Sequence, residues 1–599
     1  MAEVERLLST LQQRQVVLPL DAHFARLMCR LDGGGSEALA LAAALVSRHA
    51  GEGHVCLPLE RVGATVPGEA AELEIPPLAL WIESLRRSTV VGTPGEYRPL
   101  ILDEAGRLYL HRYWQHEKRL ASALVAWREP APEVDEARLA SALARLFGEA
   151  PESPDWQKVA AATAILQRFC VISGGPGTGK TTVVLRVLAL LVEMFGESLR
   201  IALAAPTGKA AARLQESLAA SGDELAMDEG MRAAIPDQAV TLHRLLGGTV
   251  AESGFRFDTD NPLPLDVLIV DEASMVDIAM MDRLLQALPP GARLILLGDR
   301  DQLASVDAGA VLADICGAKT IFSAAFARRV AAVIGEPVKG DGEANGLSDH
   351  VVLLRHSYRF AGKSGIGRLA DAVRQGDGDR AWRLISSDDE PDLDWSASLD
   401  VDSVAGGFLD YLQRVQEGAS PQEIFDAFGQ FRVLCAVRQG PAGVEVVNRS
   451  LERALARHAA LDPREPWYPG RPVMVVRNEY ALRLFNGDIG IVTLDGGEVC
   501  FPAAHGEYRT IPTVRMPPHE TAFAMTVHKS QGSEFDAAHL VLPDKDSRLL
   551  TRELIYTAIT RARRRFGMSG RESLCRAAIG RRLERWSGLE GRLWGLGKR

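Results

Sequence analysis

Apolar positions along this chain change rhythm several times. Up to about residue 120 they recur at helical spacing, most densely over 38–50, and predict a small helical domain. Residues 130–154 hold a helix over 136–147 and a Pro/Glu-rich linker. From about 155 the pattern becomes short apolar runs, at 169–173, 200–204, 267–270 and 293–297, separated by helical stretches. That β-α-β alternation predicts a parallel sheet with helices on its faces. A second such domain starts near 351 and resumes after Thr521. Between them, 470–512 alternates short strands with turns such as Asn486-Gly487-Asp488 and Asp495-Gly496-Gly497, which predict an inserted β-barrel. The expected fold is α/β, with domains at 1–120, 121–350 and 351–599. Two local readings complete it. Alternation over 249–258, with Glu252-Ser253-Gly254 at the turn, predicts a β-hairpin. The turn-rich stretch 317–346, with VKGDGEANG, predicts a mobile surface excursion.

Chemistry enters at the first of the buried runs. Residues 174–182 read GGPGTGKTT, straight after an apolar strand. The pattern G-x-x-x-x-G-K-[ST] is a phosphate-binding loop. Glycines let backbone N–H groups face phosphate oxygens, and the helix that follows aims its positive end at the same anion. Gly174, Gly175, Pro176, Gly177, Thr178, Gly179, Lys180, Thr181 and Thr182 are therefore candidate ATP contacts. Lys180 would reach the β- and γ-phosphates, and the Thr181 hydroxyl would sit on Mg²⁺. The apolar run ending VDEASM puts Asp271 and Glu272 at a strand end, where open α/β sheets keep their ligands. Asp271 suits Mg²⁺, and Glu272 suits the attacking water. A third strand ends GDRDQL, so Gln302 could bond the γ-phosphate or the water.

The ordered set APTGKAAARL, TLHRLLG, VDEASM, GDRDQL, LLRHSYRF, AMTVHKSQGSEF and LIYTAITRAR resembles the motifs of superfamily 1 helicases. DWQKVAAATAIL, FRVLCAVRQGPAGVEVVN and NGDIGIV are similar to the RecD branch, the alpha subunits of exodeoxyribonuclease V. The resemblance covers roughly residues 150–565. It implies two RecA-like motor domains and an SH3-like identity for the insertion. It also implies 5′-to-3′ translocation on single-stranded DNA and a heterotrimer with RecB-like and RecC-like subunits acting on duplex-end DNA. Within that pattern Arg359 and Arg561 are arginine fingers, and a planar guanidinium suits the role. Gln157, whose amide offers donor and acceptor, reads the adenine edge. Glu534 is a candidate partner of the ribose. Pro206, Thr207 and Lys209 suit a DNA phosphate, while His243, Thr526 and His528 are candidates for bases or phosphates. Two other readings stay open: a free-standing helicase, and an assembly subunit whose ATPase is vestigial.

Composition adjusts this only slightly. The chain has 599 residues, with hydrophobic content of 47% and charge of 24%, as in ordinary globular proteins. No basic start joins an apolar core, so neither signal peptide nor membrane span is expected, and seven scattered cysteines suit a reducing cytoplasm. Net charge is −10, unusual for a DNA-binding chain, yet residues 552–599 hold 13 Lys/Arg against 4 Asp/Glu. Arg576, Arg581, Arg582 and Arg585 fit either a solvated face or a contact with DNA or a partner. Phe255 and Phe257 share one face of the expected hairpin. They suit either a strand-separating pin or packing on the motor core. Tyr109, Tyr113 and Trp114 are candidate anchors for a partner subunit.

Overall fold

The computed structural model describes residues 2–65, 75–128, 133–148, 153–221, 229–248, 254–317, 321–360, 364–458, 461–503 and 506–595. The N-terminal region is helical, as expected, and adds a small sheet. Helices Ala2–Gln13, Pro19–Leu31, Glu37–Gly51, Leu78–Arg86 and His111–Ala126 pack around a four-stranded sheet. Its strands are β1 (Leu57–Pro58), β2 (Val91–Gly92), β3 (Leu100–Leu102) and β4 (Arg107–Leu110), in order β1-β4-β3-β2. Strands of two to four residues are too short for alternation to show against helical neighbours.

The first motor sheet is fully parallel. It contains β5 (Phe169–Gly174), β6 (Ile201–Ala205), β7 (Ala239–Thr241), β8 (Val267–Val270), β9 (Arg293–Gly298) and β10 (Val351–Leu354), in order β10-β5-β9-β8-β6-β7. β10 pairs with β5, Val352 opposite Ile172, so this sheet reaches past the boundary expected at 350. β5, β8 and β9 are buried along their whole length, which is why they read as continuous apolar runs rather than alternation.

The second motor sheet begins with β11 (Leu393–Ser396) and β12 (Phe431–Cys435). The chain then leaves it for a separate antiparallel sheet of β13 (Pro472–Val475), β14 (Ile489–Val492), β15 (Glu498–Pro502), β16 (Tyr508–Pro512) and β17 (His519–Thr521). That insertion has its own small core, Val473, Val475, Leu484, Val492, Val499, Phe501 and Ile511, and its last strand lies beyond the expected end at 512. The motor sheet resumes with β18 (Ala524–Thr526), β19 (Phe535–Val541) and β20 (Ala562–Ser569), giving the parallel order β11-β20-β19-β12-β18.

Three further expectations change. The stretch 317–346 contains the helix Ala324–Ile334, capped by Ser323, and buries Phe326, Val330, Val333 and Ile334. Its breaker residues masked an apolar stripe at helical spacing. Residues 249–253 of the expected hairpin lie outside the described residues, and 254–258 contain no strand. Phe255 and Phe257 pack against the motor core instead, Phe255 beneath the Arg283 guanidinium at 5.0 Å. Finally, Tyr109 and Trp114 are buried rather than offered as anchors. Tyr109 donates to Glu117 (3.2 Å), and Arg592 lies 4.4 Å over the Trp114 ring. The exposed apolar stripe of this region is Leu20, Leu27 and Leu31, on one face of the helix Pro19–Leu31.

After the helix Glu572–Gly580 the chain runs back across the molecule. Trp586, Leu589, Leu593 and Trp594 enter one core shared by the N-terminal region and the first motor sheet. Trp586 stacks on His49 (5.0 Å), and its backbone N–H donates to His54 Nδ1 (2.9 Å). Arg592, Gly588 N and the Ser587 hydroxyl all donate to the fully buried Glu117. Arg576 and Arg581 pair with Asp379, Glu572 and Asp546, and Arg585 donates to the Glu52 and Ser305 carbonyls, so these arginines serve intramolecular contacts. Arg582 stays exposed.

Candidate functional site

The carboxyl ends of three neighbouring strands, β5, β9 and β8, meet at one place. After β5 the loop turns through Gly177 (φ 75°) and Gly179 (φ 80°), left-handed conformations that favour glycine, into the helix Lys180–Phe195. Close approach also matters there. A β-carbon at Gly177 would stand 2.3 Å from the Arg359 Cβ, and one at Gly179 would stand 2.1 Å from Gln157 Nε2. Lys180 Nζ donates back across the loop to the Gly174 (2.7 Å) and Gly175 (3.2 Å) carbonyls. The Thr178 hydroxyl donates to Gly175 O (2.7 Å).

Asp271 closes β8. Burial, reinforced by Glu272 alongside, pushes its carboxyl up to about 6, against the pull of Lys180. Glu272 is held at φ 52°, and its N–H donates to Asp271 Oδ1 (2.8 Å). A left-handed glutamate is uncommon and costs strain of the kind that collects at working sites. Asp299 closes β9 and is likewise raised to about 6 by burial, again opposed by Lys180. It accepts hydrogen bonds from Gln302 Nε2 (3.1 Å) and from the Tyr556 hydroxyl (3.1 Å).

Tyr556 belongs to the second motor sheet's side, which faces the site with the starts of β19 and β20. Leu303 N donates to the Thr557 hydroxyl (3.0 Å), and Gln531 Nε2 donates to Leu303 O (3.0 Å). Just before β19, the buried Glu534 carboxylate takes Arg359 (2.7 Å), Arg563 (3.1 Å) and Arg213. Burial works against the charge, but Arg213 and Arg359 outweigh it and hold the carboxyl far below the usual range. Arg359 Nη1 is buried with no hydrogen-bond partner among the described residues. Arg561, also buried, donates to the Thr557 and Ser533 carbonyls of its own side. Burial lowers its pKa, while Glu272 and Glu534 oppose that.

Some expected residues are otherwise engaged. Gln157 donates to Thr178 O (3.0 Å) and accepts from Arg186 (3.3 Å), so both ends of its amide brace the phosphate loop. Four of the DNA candidates, Pro206, Thr207, Lys209 and His243, lie along the opposite edge of the first sheet. Thr207 Oγ1 caps the helix Gly208–Ser221 at Ala210 N (3.2 Å). Lys209, partly buried, is brought down to about 7 by burial and by Arg432 and Arg213. His243 is exposed just after β7, its ring 5.9 Å from Phe255. Thr526 ends β18, and His528 follows it. The Thr526 hydroxyl accepts from Lys529 N (3.3 Å), and burial, then Arg585, lowers the His528 pKa. A β-carbon at Gly208 would stand 3.9 Å from the ring of Phe485, which the insertion places over this segment. Asp299, Arg213 and Tyr556 lie inside the motifs GDRDQL, APTGKAAARL and LIYTAITRAR, but nothing in their spacing singles them out.

A phosphate loop at the carboxyl ends of one parallel sheet, faced by arginines from the strand starts of a second, defines a two-sheet ATPase motor of the helicase type. Family models agree. One described as "AAA domain" matches residues 157–308, one described as "RecBCD enzyme subunit RecD, N-terminal domain" matches 13–109, and one described as "UvrD-like helicase C-terminal domain" matches 521–568. The RecBCD enzyme subunit RecD of Mycobacterium tuberculosis is 41% identical over 612 residues, covering 99% of this chain and 98% of its own. That of Haemophilus influenzae is 39% identical, over 81% and 80%. The chain belongs to the RecD family of RecBCD enzyme subunits. The ATP-dependent RecD2 DNA helicase of Deinococcus radiodurans is 33% identical over 70% of this chain but 49% of its own length. A solved Pif1 helicase aligns over 70% of this chain and 92% of its own at 20% identity and TM-score 0.38.

Proposed function

We propose that this chain is an ATP-driven DNA helicase that translocates 5′-to-3′ on single-stranded DNA as a subunit of a RecBCD-type heterotrimer. The observation that carries the reading is the seam itself. Asp299 beside the phosphate loop bonds Tyr556 from across the cleft, and Arg359, on the loop's own side, pairs with Glu534 of the other sheet, so nucleotide chemistry and sheet closure share residues. Near-complete mutual coverage with RecD relatives favours the subunit over a free-standing helicase of the RecD2 kind.

The catalytic assignments follow. Gly174 to Thr182 cradle the phosphates, and Lys180 leaves its loop carbonyls to meet the γ-phosphate. Glu272 accepts the proton of the attacking water. Arg359, whose stem lies against Gly177 and whose Nη1 is unsatisfied, and Arg561 stabilise the transferred phosphoryl group. Gln157 braces the loop and meets adenine only by exchanging Thr178 or Arg186. The site fits Mg²⁺: the Thr181 hydroxyl and the Asp271 carboxylate are hard oxygen donors, and a cation would relieve a carboxylate that burial disfavours. The ion would neutralise charge on the β- and γ-phosphates.

Pro206, Thr207, Lys209, His243, Thr526 and His528 line the proposed DNA track. The antiparallel insertion is proposed as the SH3-like barrel of the branch. The region up to about residue 120 is proposed as the partner-docking domain, with Leu20, Leu27 and Leu31 replacing the buried aromatic residues as its contact face. A cytoplasmic site of action accords with a DNA substrate, and no helix among the described residues is long and apolar enough to cross a membrane. The deciding experiment is Lys180→Gln. It should fold, keep single-strand binding and lose DNA-stimulated ATP hydrolysis. A variant that hydrolyses ATP at the parental rate would overturn the catalytic assignment.

A further inference from the structure

Three groups converge on the buried Asp299 carboxylate. Oδ1 accepts from Asp301 N (3.0 Å), and Oδ2 accepts from the Tyr556 hydroxyl (3.1 Å) and from Gln302 Nε2 (3.1 Å). Gln302 is also buried, and its Oε1 has no hydrogen-bond partner among the described residues. A primary amide has one donor end and one acceptor end. With one N–H of the amide bonded to Asp299, the buried atom of Gln302 left without a partner is its acceptor, Oε1. Phosphate oxygens are acceptors themselves and cannot satisfy it, whereas a water molecule can. Leaving a buried carbonyl oxygen bare is costly, so its retention calls for a use. The cluster adjoins the phosphate loop. A β-carbon at Gly175 would stand 2.8 Å from the Tyr556 hydroxyl and 3.9 Å from Asp299 Oδ2.

We propose that Asp299 is a positioning residue for hydrolysis: it pins the Gln302 amide so that Oε1 faces the attacking water, and Tyr556 completes its hydrogen bonding only when the two motor sheets are docked. The proposal rests on the ATPase reading above. In that reaction the water oxygen bonds the γ-phosphorus, the bond to the departing ADP breaks, and the water proton passes to Glu272. Gln302 orients the nucleophile and transfers nothing. Because Tyr556 lies on the far side of the seam, Asp299 ties the orientation of the water to the closure of the cleft.

The test uses the full chain, a single-stranded oligonucleotide to stimulate hydrolysis and a fluorescent nucleotide to measure binding. In D299N the Asp301 N–H still requires an oxygen, so the introduced NH₂ faces Gln302 and turns its acceptor inward. The expected result is a kcat about tenfold to a hundredfold lower, with KM and nucleotide affinity unchanged. In a Q302A background D299N should cost less than about twofold more, because Asp299 acts through Gln302. D299N/Q302E should recover most of the activity, since the introduced carboxylate accepts from the introduced amide and offers its second oxygen to the water. Should D299N alone not fold, the double variant is compared with Q302E, which sets two carboxylates together and should be the slower. Full additivity of D299N with Q302A, or a double variant no faster than either single change, overturns the proposal. A parental chain without DNA-stimulated ATPase would sink the activity reading instead, before any variant is compared.

Discussion

Glu534 holds three guanidinium groups that reach it from three separate segments. Two of them, Arg213 and Arg359, come from the side that carries the phosphate loop. Glu534→Gln keeps the shape and removes the charge. Unit charges about 4 Å apart interact by roughly 4 kcal/mol at an effective dielectric near 20. Arg213 and Arg359 are partly exposed, with 35% and 22% of their side chains open, so solvent screening brings the usable part of each pair to about 1 kcal/mol. A triphosphate that needs Arg359 must take it from this carboxylate. Removing the competitor should therefore tighten ATP binding by about 1 kcal/mol, roughly fivefold, while ADP, which lacks the γ-phosphate, gains little. The assay is equilibrium titration of parental and variant protein with fluorescent ATP and ADP analogues, with an ATP-to-ADP affinity ratio raised in the variant. If both nucleotides bind more weakly by the same factor, Glu534 bonds the ribose, as the family resemblance implies. An unchanged ratio with lowered thermal stability would make the arginine cluster purely architectural. Either outcome refutes the competition argument.

Other expectations are simpler. Glu272→Gln should bind ATP and single-stranded DNA and lose at least about a hundredfold in hydrolysis; loss of nucleotide binding would make the residue structural. Phe255→Ala with Phe257→Ala should lower thermal stability and reduce ATPase and unwinding together, because both rings pack on the motor core; unwinding lost with ATPase intact would restore the strand-separating pin. Burial, then His49 and Arg585, holds His54 down to about 3 in the folded chain. Its unfolded value near 6.5 means that the unfolded state binds the extra proton between these limits, so stability is full above about 6.5 and falls by up to roughly 1.4 kcal/mol per pH unit below it. The melting midpoint should therefore drop between pH 7 and pH 5, and His54→Asn should flatten that drop; an equal slope in both proteins would place the titrating group elsewhere.

The nucleotide half of the site was legible because its chemistry is local. The glycines, Lys180, Asp271 and Glu272 sit at strand ends whose apolar runs are continuous, so motif and element announce each other. What escaped depends on contacts between distant segments. Nothing near Glu534 in sequence tells that Arg213, more than 300 residues earlier, will claim it. Asp299 and Tyr556 are ordinary residues until two sheets bring them to 3.1 Å. Periodicity failed where elements are short, as in β1 and β2, or where flanking breakers hid a helix, as at Ala324–Ile334. Tyr109 and Trp114 looked like surface anchors because their coverings, Glu117 and Arg592, lie on a helix and on a late segment that composition does not connect.

That late segment bears on how the protein is made. Glu117 waits for Gly588, which follows it by 471 residues. At about 5–20 residues per second, a ribosome takes roughly 25 to 95 s to cover that distance. Through this interval the helix His111–Ala126 carries a buried-to-be carboxylate and an apolar groove meant for Trp586, Leu589 and Leu593 with nothing yet to fill them. A product halted before the late segment keeps its phosphate loop and both motor sheets, yet it displays an unfilled groove to chaperones and proteases. The late clasp thus closes this core only in chains read through to residues 586–594.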